Sequence, residues 1–492
     1  MPDTSEIVRL IQSRIPLIVI ESKEELQVLD IISKASTQLR MPFYRWTVTQ
    51  GLYRLDGGNS RHQTPREPEE VLHHIWSTKI SGLYTLVDFH HYLEEPKHMR
   101  MIKEIALYGE KRRQTVIFLS HQCELPDELN HLAAYFQLSL PSENKLMQTV
   151  AHVAGQWVKE EKHRKVHIDK EALQMLVQNL KGLTLTEAKR LARNAIYDDG
   201  AISKNDLPEV AKAKHSLLNK DGVLSFEYDT AHLSDVGGLA HLKKWLEQRK
   251  SIFLGNGNQN GLDLPKGILL LGIQGGGKSL AAKAVAGTWG VPLLRMDFGA
   301  LFNKYFGETE RRTREALKMA ETMAPCVLWL DEIEKGIATS DSDNGTSKRL
   351  LGTLLTWMAE RKSAVFIVAT ANDIQSLPPE LLRKGRLDEI FFVDLPDRET
   401  RQLIFSIHLK KRALNPAAFD LEQLADLTEL FSGAEIEQAI VAGMYSAMGH
   451  ADQLTNDVLV SEIIATQPLS VVMKEQIDYM REWARDRTVP AH

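Results

Sequence analysis

Along the second half of the chain, short apolar runs alternate with stretches of helical spacing. The runs fall at 267–273 (GILLLGI), 291–298 (VPLLRMDF), 326–333 (CVLWLDEI), 364–372 (AVFIVATAN) and 390–396 (IFFVDLP). Runs that are apolar throughout, rather than alternating, predict strands buried on both faces of a parallel sheet covered by helices. Beyond Pro396 the pattern turns helical. Amphipathic spacing covers 403–409 and 421–430, and Ser432 stands in N-cap position before 434–448. An α/β core followed by a helical lid is the expected arrangement.

The first half repeats this rhythm, with strand-like runs at 15–20, 43–48, 83–89, 115–120 and 135–140. The repetition extends to wording. VIFLS at 116–120 precedes LPDEL and then YFQLSLP, ending at Pro141. VFIVA at 365–369 precedes LPPEL and then IFFVDLP, ending at Pro396. Self-similarity on this scale points to an internal duplication of an α/β domain. A chance match between two α/β domains is the alternative. Between the halves, 198–232 mixes charges with turn residues and reads as a linker, and 485–492 reads as a frayed tail.

Composition narrows the class. The 492 residues are 43% hydrophobic and 25% charged, values of an ordinary globular protein of two to four domains. A net charge of −5 offers no bulk electrostatic case for nucleic acid or anionic membranes. Two cysteines are too few for a disulfide framework. The N-terminal segment is acidic where a signal peptide is basic, and its apolar run is too short to span a bilayer. A cytoplasmic protein is expected.

The chemistry concentrates after the run at 267–273. Gly272-Ile273-Gln274-Gly275-Gly276-Gly277-Lys278-Ser279 satisfies GxxxxGK[ST] between a buried strand and a helix that opens at Leu280. Glycines let backbone N–H groups close around phosphates, and the helix start presents further N–H groups and a positive dipole end. Lys278 supplies a point charge for the outer phosphates of ATP, and Ser279 a hydroxyl for Mg²⁺. The apolar strand at 326–330 ends in Asp331 and Glu332. Asp331 suits the Mg²⁺ shell, and Glu332 suits orienting and deprotonating the attacking water. The strand at 365–369 leads to Asn372, whose amide is placed to contact the γ-phosphate or that water, or simply to form a turn with Asp373. Arg383 and Arg386 lie three apart, on the side of such a core away from the phosphate loop. A neighbouring subunit could insert them as arginine fingers; two surface arginines are the alternative.

Together these motifs resemble the AAA ATPase family. The resemblance implies an entry motif beside adenine at Asp235-Val236-Gly237-Gly238-Leu239, involving Val236 and Gly237. It also implies a lid motif beside the nucleotide at Phe431-Ser432-Gly433-Ala434-Glu435, involving Gly433 and Ala434. It makes Arg383 and Arg386 the fingers of a ring, usually of six copies. Tyr305-Phe306 falls where the family's pore loop grips a macromolecular substrate; an aromatic staple on the next helix remains the other reading. Over its whole length the chain is similar to the chloroplast reading-frame forty-six type of AAA ATPase, found in cyanobacteria, plastids and other bacteria. The carrying segments are SRIPLIVIESKEE, KDGVLSFEY, GIQGGGKS and the run at 343–372. A plastid stroma would be the location in an alga.

The implied organisation is a degenerate ATPase-like domain with its own helical segment at 1–198 and a linker at 199–232. An AAA core at 233–398 and a lid with tail at 399–492 complete it. The first domain is expected to be silent. Its counterpart of the phosphate loop, Ile20-Glu21-Ser22-Lys23-Glu24-Glu25, has no glycine and three acids, and Phe89 follows Asp88 where the base would stand. The expected activity is Mg²⁺-dependent ATP hydrolysis in a homo-oligomeric ring, a hexamer by resemblance, that remodels or threads a macromolecular substrate, with a protein substrate or partner left unnamed. The alternatives are a nucleotide-gated assembly platform and a nucleic-acid- or ribosome-associated ATPase.

Overall fold

The computed structural model describes residues 2–56, 65–78, 80–161, 166–203, 205–218, 222–228, 230–255, 261–298, 308–337, 346–383, 385–449 and 454–492. It separates into two compact units. One is Met1–Pro141 with Thr184–Glu187; the other is Ser142–Leu183 with Ala188–His492.

The first unit is built on a six-stranded sheet: β1 (Leu17–Glu21), β2 (Phe43–Thr47), β3 (Gly51–Arg54), β4 (Gly82–Val87), β5 (Gln114–Ser120) and β6 (Ala133–Gln137). The strand order is β3-β2-β4-β5-β1-β6. Only β3 runs antiparallel, paired to β2. Strands β4 and β5 are buried at every position, because apolar clusters cover both faces. Trp46, Tyr84 and Phe89 fill one face; Ile18, Ile32 and Phe43 fill the other.

The second unit begins with helices Glu143–Glu160 and Lys170–Leu180, the part of helix Leu185–Asp199 from Ala188 onward, and helix Asp206–Leu218, which share a core around Leu146, Trp157, Leu176, Leu191 and Ile196. A two-residue ladder, β7 (His167–Ile168) with β8 (Ala201–Ile202), ties their ends. The stretch expected as a linker thus holds a helix and, at Leu224–Glu227, strand β9. Its mixed charges belong to exposed faces of these short elements. The amphipathic positions Val210 and Ala211 are buried.

The large sheet follows: β10 (Gly267–Gly272), β11 (Leu293–Met296), β12 (Cys326–Leu330), β13 (Val365–Ala371), β14 (Glu389–Val393) and β15 (Val489–Pro490). The order is β15-β14-β10-β13-β12-β11-β9, parallel except for β9 against β11. Beyond β14, helices Arg398–Lys411, Leu421–Leu427, Gly433–Gly449 and Asn456–Ala465 form the lid around Phe405, Leu424, Ile436 and Leu459. Ser432 caps the lid helix as expected, and Glu435 makes the cap reciprocal. The Ser432 N–H donates to Glu435 Oε2 at 2.8 Å, and the Glu435 N–H donates to Ser432 Oγ at 3.4 Å.

The tail is a correction to the sequence-based expectation. Helix Lys474–Ala484 leads into β15, which adds an edge strand to β14, and the Ala491 N–H donates to Phe392 O at 2.9 Å. A two-residue strand carries no periodicity. Only the exposed edge of β14 makes pairing favourable.

Candidate nucleotide site

The carboxyl ends of β10, β12 and β13 open into a cleft of about 450 Å³, roofed by the lid. Brought together on it are Val236, Gly237, Gln274, Gly275, Gly276, Gly277, Lys278, Ser279, Leu280, Asp331, Glu332, Asn372, Gly433 and Ala434. Gly272 stands just behind, as the last residue of β10. A Cβ there would lie 2.0 Å from Val393 O, so any side chain would break the pairing with β14. Gly275 has φ +79°, and a Cβ on it would meet Ser432 Oγ at 2.7 Å. That glycine lets the lid approach the loop, where the Ala434 N–H donates to Gly275 O at 3.3 Å.

Lys278 is buried and folds back on its own loop. Its Nζ donates to Gly272 O and Ile273 O, both at 2.7 Å. Burial lowers its pKa to about 8, with Glu334, Glu332 and Asp331 opposing the shift. The loop carbonyls hold the ammonium where phosphate oxygens would replace them as acceptors.

The two acids are positioned by β13. Thr370 Oγ1 donates to Asp331 Oδ1 at 2.9 Å, and the Glu332 N–H donates to Thr370 Oγ1 at 3.0 Å. Asp331 Oδ2 accepts from Arg295 Nη2 at 2.9 Å. Glu332 has φ +46°, a left-handed backbone that turns its carboxylate into the cleft. Asn372 Nδ2 donates to Glu332 Oε1 at 3.0 Å, and Lys335 Nζ to Oε2 at 2.6 Å. Asn372 therefore meets Glu332 directly in this state.

Thr370, Arg295 and Lys335 were invisible to motif reading because their partners come from other strands or the next helical turn. Glu334 was missed as well. Its Oε1 accepts the Asn372 N–H at 2.9 Å, its Oε2 is buried without a partner, and burial raises its pKa. The signal was present as a third acid in Asp331-Glu332-Ile333-Glu334.

At the other end of the cleft, Lys243 Nζ donates to Val236 O at 2.6 Å and secures the entry segment. His408, Glu437 and Ile404 come from the lid, Asp394 from the end of β14 and His492 from beyond β15. Arg481 grips Asp394 through Nη2 at 2.8 Å and Nε at 3.0 Å. His492 Nδ1 accepts the Leu239 N–H at 3.4 Å, so the neutral ring carries its proton on Nε2. That Nε2 is buried without a partner, and burial lowers the pKa of the ring. Nothing in the local sequence announces His492, since the pairing of β15 with β14 alone brings it here.

Arg383 and Arg386 do not line the cleft. They precede β14, where Asp388 Oδ2 accepts the Lys266 and Gly267 N–H groups at 2.7 and 3.0 Å. These groups open β10, whereas the phosphate loop follows its last residue. The arginines thus stand at the opposite, amino-terminal ends of the strands. Arg383 is exposed, and Arg386 Nη1 donates to Glu380 O. Tyr305 and Phe306 lie outside the described residues.

Three family models match the chain. ATPase family associated with various cellular activities (AAA) covers 268–395; the N-terminal and second domains of SpoVK-like AAA ATPase cover 3–138 and 144–221. The Ycf46 AAA-domain protein of Trieres chinensis is 34% identical over 490 residues, 98% of this chain and 97% of its own. The chain belongs to the Ycf46 family of AAA ATPases. The Ycf46 protein of Pyropia yezoensis is 35% identical over 98% of both chains. The proteasome-activating nucleotidase of Aeropyrum pernix is 37% identical over 224 residues, 44% of this chain and 54% of its own. The mixed α/β fold, a parallel-sheet ATPase module behind an N-terminal domain, and ATPase activity are thus established for this Ycf46 member. No described helix is long and apolar enough to cross a membrane.

Proposed function

We propose that the chain hydrolyses ATP with Mg²⁺ at a site completed by a neighbouring copy, and that a ring of such copies, six by family resemblance, remodels a macromolecule. The observation that carries this reading is the convergence of Lys278, Ser279, Asp331, Glu332 and Asn372 on one cleft while both arginines stand at the opposite ends of the strands.

The base lies between the entry segment and the lid, against Val236 and Gly237, with His492 Nε2 free to donate to a ring nitrogen. Loop N–H groups and Lys278 hold the phosphates. The oxygen donors on this cleft suit Mg²⁺, which takes few protein ligands and several from phosphate and water. Ser279 and Asp331 would hold it, and when bound it neutralises charge on the β- and γ-phosphates. Glu332 takes a proton from water as the water oxygen bonds to the γ-phosphorus, and the bond to the β–γ bridging oxygen breaks toward ADP. Both Glu332 oxygens are engaged by Asn372 and Lys335, so one must be released first. Arg383 and Arg386 of an adjacent copy would stabilise the charge on the transferring group. Tyr305 and Phe306 would contact the substrate.

The test is turnover against protein concentration, with particle mass measured alongside. Activity should rise with assembly, and Arg383→Ala should keep ATP binding while losing turnover. Full activity in a monomer would reject the shared site. Crosslinking partners to a Glu332→Gln chain loaded with ATP would identify the substrate.

A further inference from the structure

A second cavity lies in the first unit, at the edge of the six-stranded sheet where β1, β2 and β5 begin. Its volume is about 340 Å³, within the range of small-molecule sites. Arg14, Arg40 and Arg113 all line it, with Ser81, Gln12 and Thr115, and no described acidic residue does. None of the three guanidinium groups has a hydrogen-bond or ion-pair partner among the described residues.

The backbone makes the coincidence sharper. Each arginine follows a helix, namely Pro2–Gln12, Glu25–Leu39 and Pro96–Arg112, and each is left-handed, with φ of 58°, 53° and 51°. Glycine is the usual residue at such a helix end, and asparagine the usual substitute. Arginine has no conformational reason to be there. Every described arginine with positive φ lines this one cavity. Three fixed charges that the fold neither pairs nor needs for its turns call for an explanation outside the fold.

Helix carbonyl ends also face this region, and their negative dipole ends offset part of the positive field. A monoanion would gain little there. A compound with several charged oxygens could bridge guanidinium groups from different helices, each in the forked geometry that arginine offers to phosphate.

We propose that this cavity binds a small polyphosphate, a compound with two or more phosphate groups, through Arg14, Arg40 and Arg113. The site is separate from the ATPase cleft and independent of how that cleft is read.

The test uses the full-length chain carrying Lys278→Ala, which silences the phosphate loop, and inorganic pyrophosphate as the probe in isothermal titration. Saturable, salt-sensitive binding is expected, with orthophosphate at least about tenfold weaker. Arg40→Gly and Arg113→Gly remove the charges while giving the backbone the residue it prefers, so both variants should remain folded. Each should weaken pyrophosphate roughly tenfold to a hundredfold, and the pair should abolish binding. If the arginines serve only to neutralise helix ends, the double variant will lose thermal stability and bind pyrophosphate unchanged. That result, or no saturable binding by the parent chain, overturns the proposal.

Discussion

The two parallel sheets have the same plan and opposite contents. Read from its other end, the large sheet runs β9-β11-β12-β13-β10-β14-β15, and the small one β3-β2-β4-β5-β1-β6. Each has one antiparallel edge strand followed by five parallel strands in matching order, and the large sheet adds β15 as a sixth. Register aligns them residue by residue: Val87 pairs with Leu119 as Leu330 pairs with Ala369. Asp88 therefore corresponds to Asp331, and Ser120 to Thr370. The hydroxyl contact survives too, since Ser120 Oγ donates to Asp88 Oδ1 at 3.2 Å as Thr370 Oγ1 does to Asp331.

What differs is everything that handles phosphate. Five residues separate β10 from its helix, whereas three separate β1 from the helix starting at Glu25. The acids in that short turn act as structural acceptors. Glu21 Oε1 takes the Cys123 N–H at 2.9 Å, and Glu24 Oε2 takes the Thr186 hydroxyl at 2.7 Å. Phe89 stands in the place of Glu332, buried among Trp46, Tyr92 and Phe118. A parallel sheet of this plan stands with or without such residues at its strand ends, because its stability comes from faces and its chemistry from strand ends.

This contrast breaks most readily at the phosphate loop. Lys278→Ala should abolish turnover in the whole chain and ATP binding at the phosphate loop. ATP binding that survives both Lys278→Ala and the Arg40→Gly/Arg113→Gly pair, with a stoichiometry of one per chain, would mean the first sheet holds a nucleotide at its strand ends after all. Glu332→Gln should bind ATP and turn over roughly 10²- to 10⁴-fold more slowly, whereas Phe89→Glu should create no activity and should destabilise the first unit in a thermal melt.

The pH dependence sharpens the comparison further. Because Lys278 has a pKa of about 8 in the nucleotide-free site, its ammonium is already charged below that value and must gain a proton above it. ATP phosphates favour the charged form, so binding above pH 8 should take up a proton and weaken as pH rises. Below pH 8 this dependence should vanish. Titration in buffers of differing ionisation enthalpy reads the uptake directly, and binding without proton exchange at pH 9 would reject it.

Smaller effects separate the paired hydroxyls and the tail. His492→Ala should weaken ATP by about one hydrogen bond, roughly 0.5–1.5 kcal/mol, with little effect on triphosphate alone. Thr370→Val should lower turnover by freeing Asp331 and Glu332. Ser120→Ala should cost only about 1 kcal/mol of stability, seen as a modest shift in denaturant midpoint with ATPase rate unchanged.

Much of this is legible in the sequence. The phosphate loop, the Asp331-Glu332 pair and the lid cap at Ser432 are contiguous segments whose spacing carries their geometry. The large sheet was readable because doubly buried strands are continuous apolar runs. Strands β3, β9 and β15 were not, since edge strands are short and half polar. Nor was the helix Asp206–Leu218, whose charged positions resemble a linker.

By itself, then, the sequence determined the local chemistry and the repetition of the plan. Backbone N–H groups around a phosphate need glycine, lysine and serine at fixed spacing, and such spacing survives in one dimension. Tertiary structure decided which distant residues complete each site. Thr370 beneath Asp331, His492 beside the entry segment and three arginines around one cavity meet only because strand pairing and helix ends bring them together. Contacts between residues far apart in the chain leave no periodic trace along it.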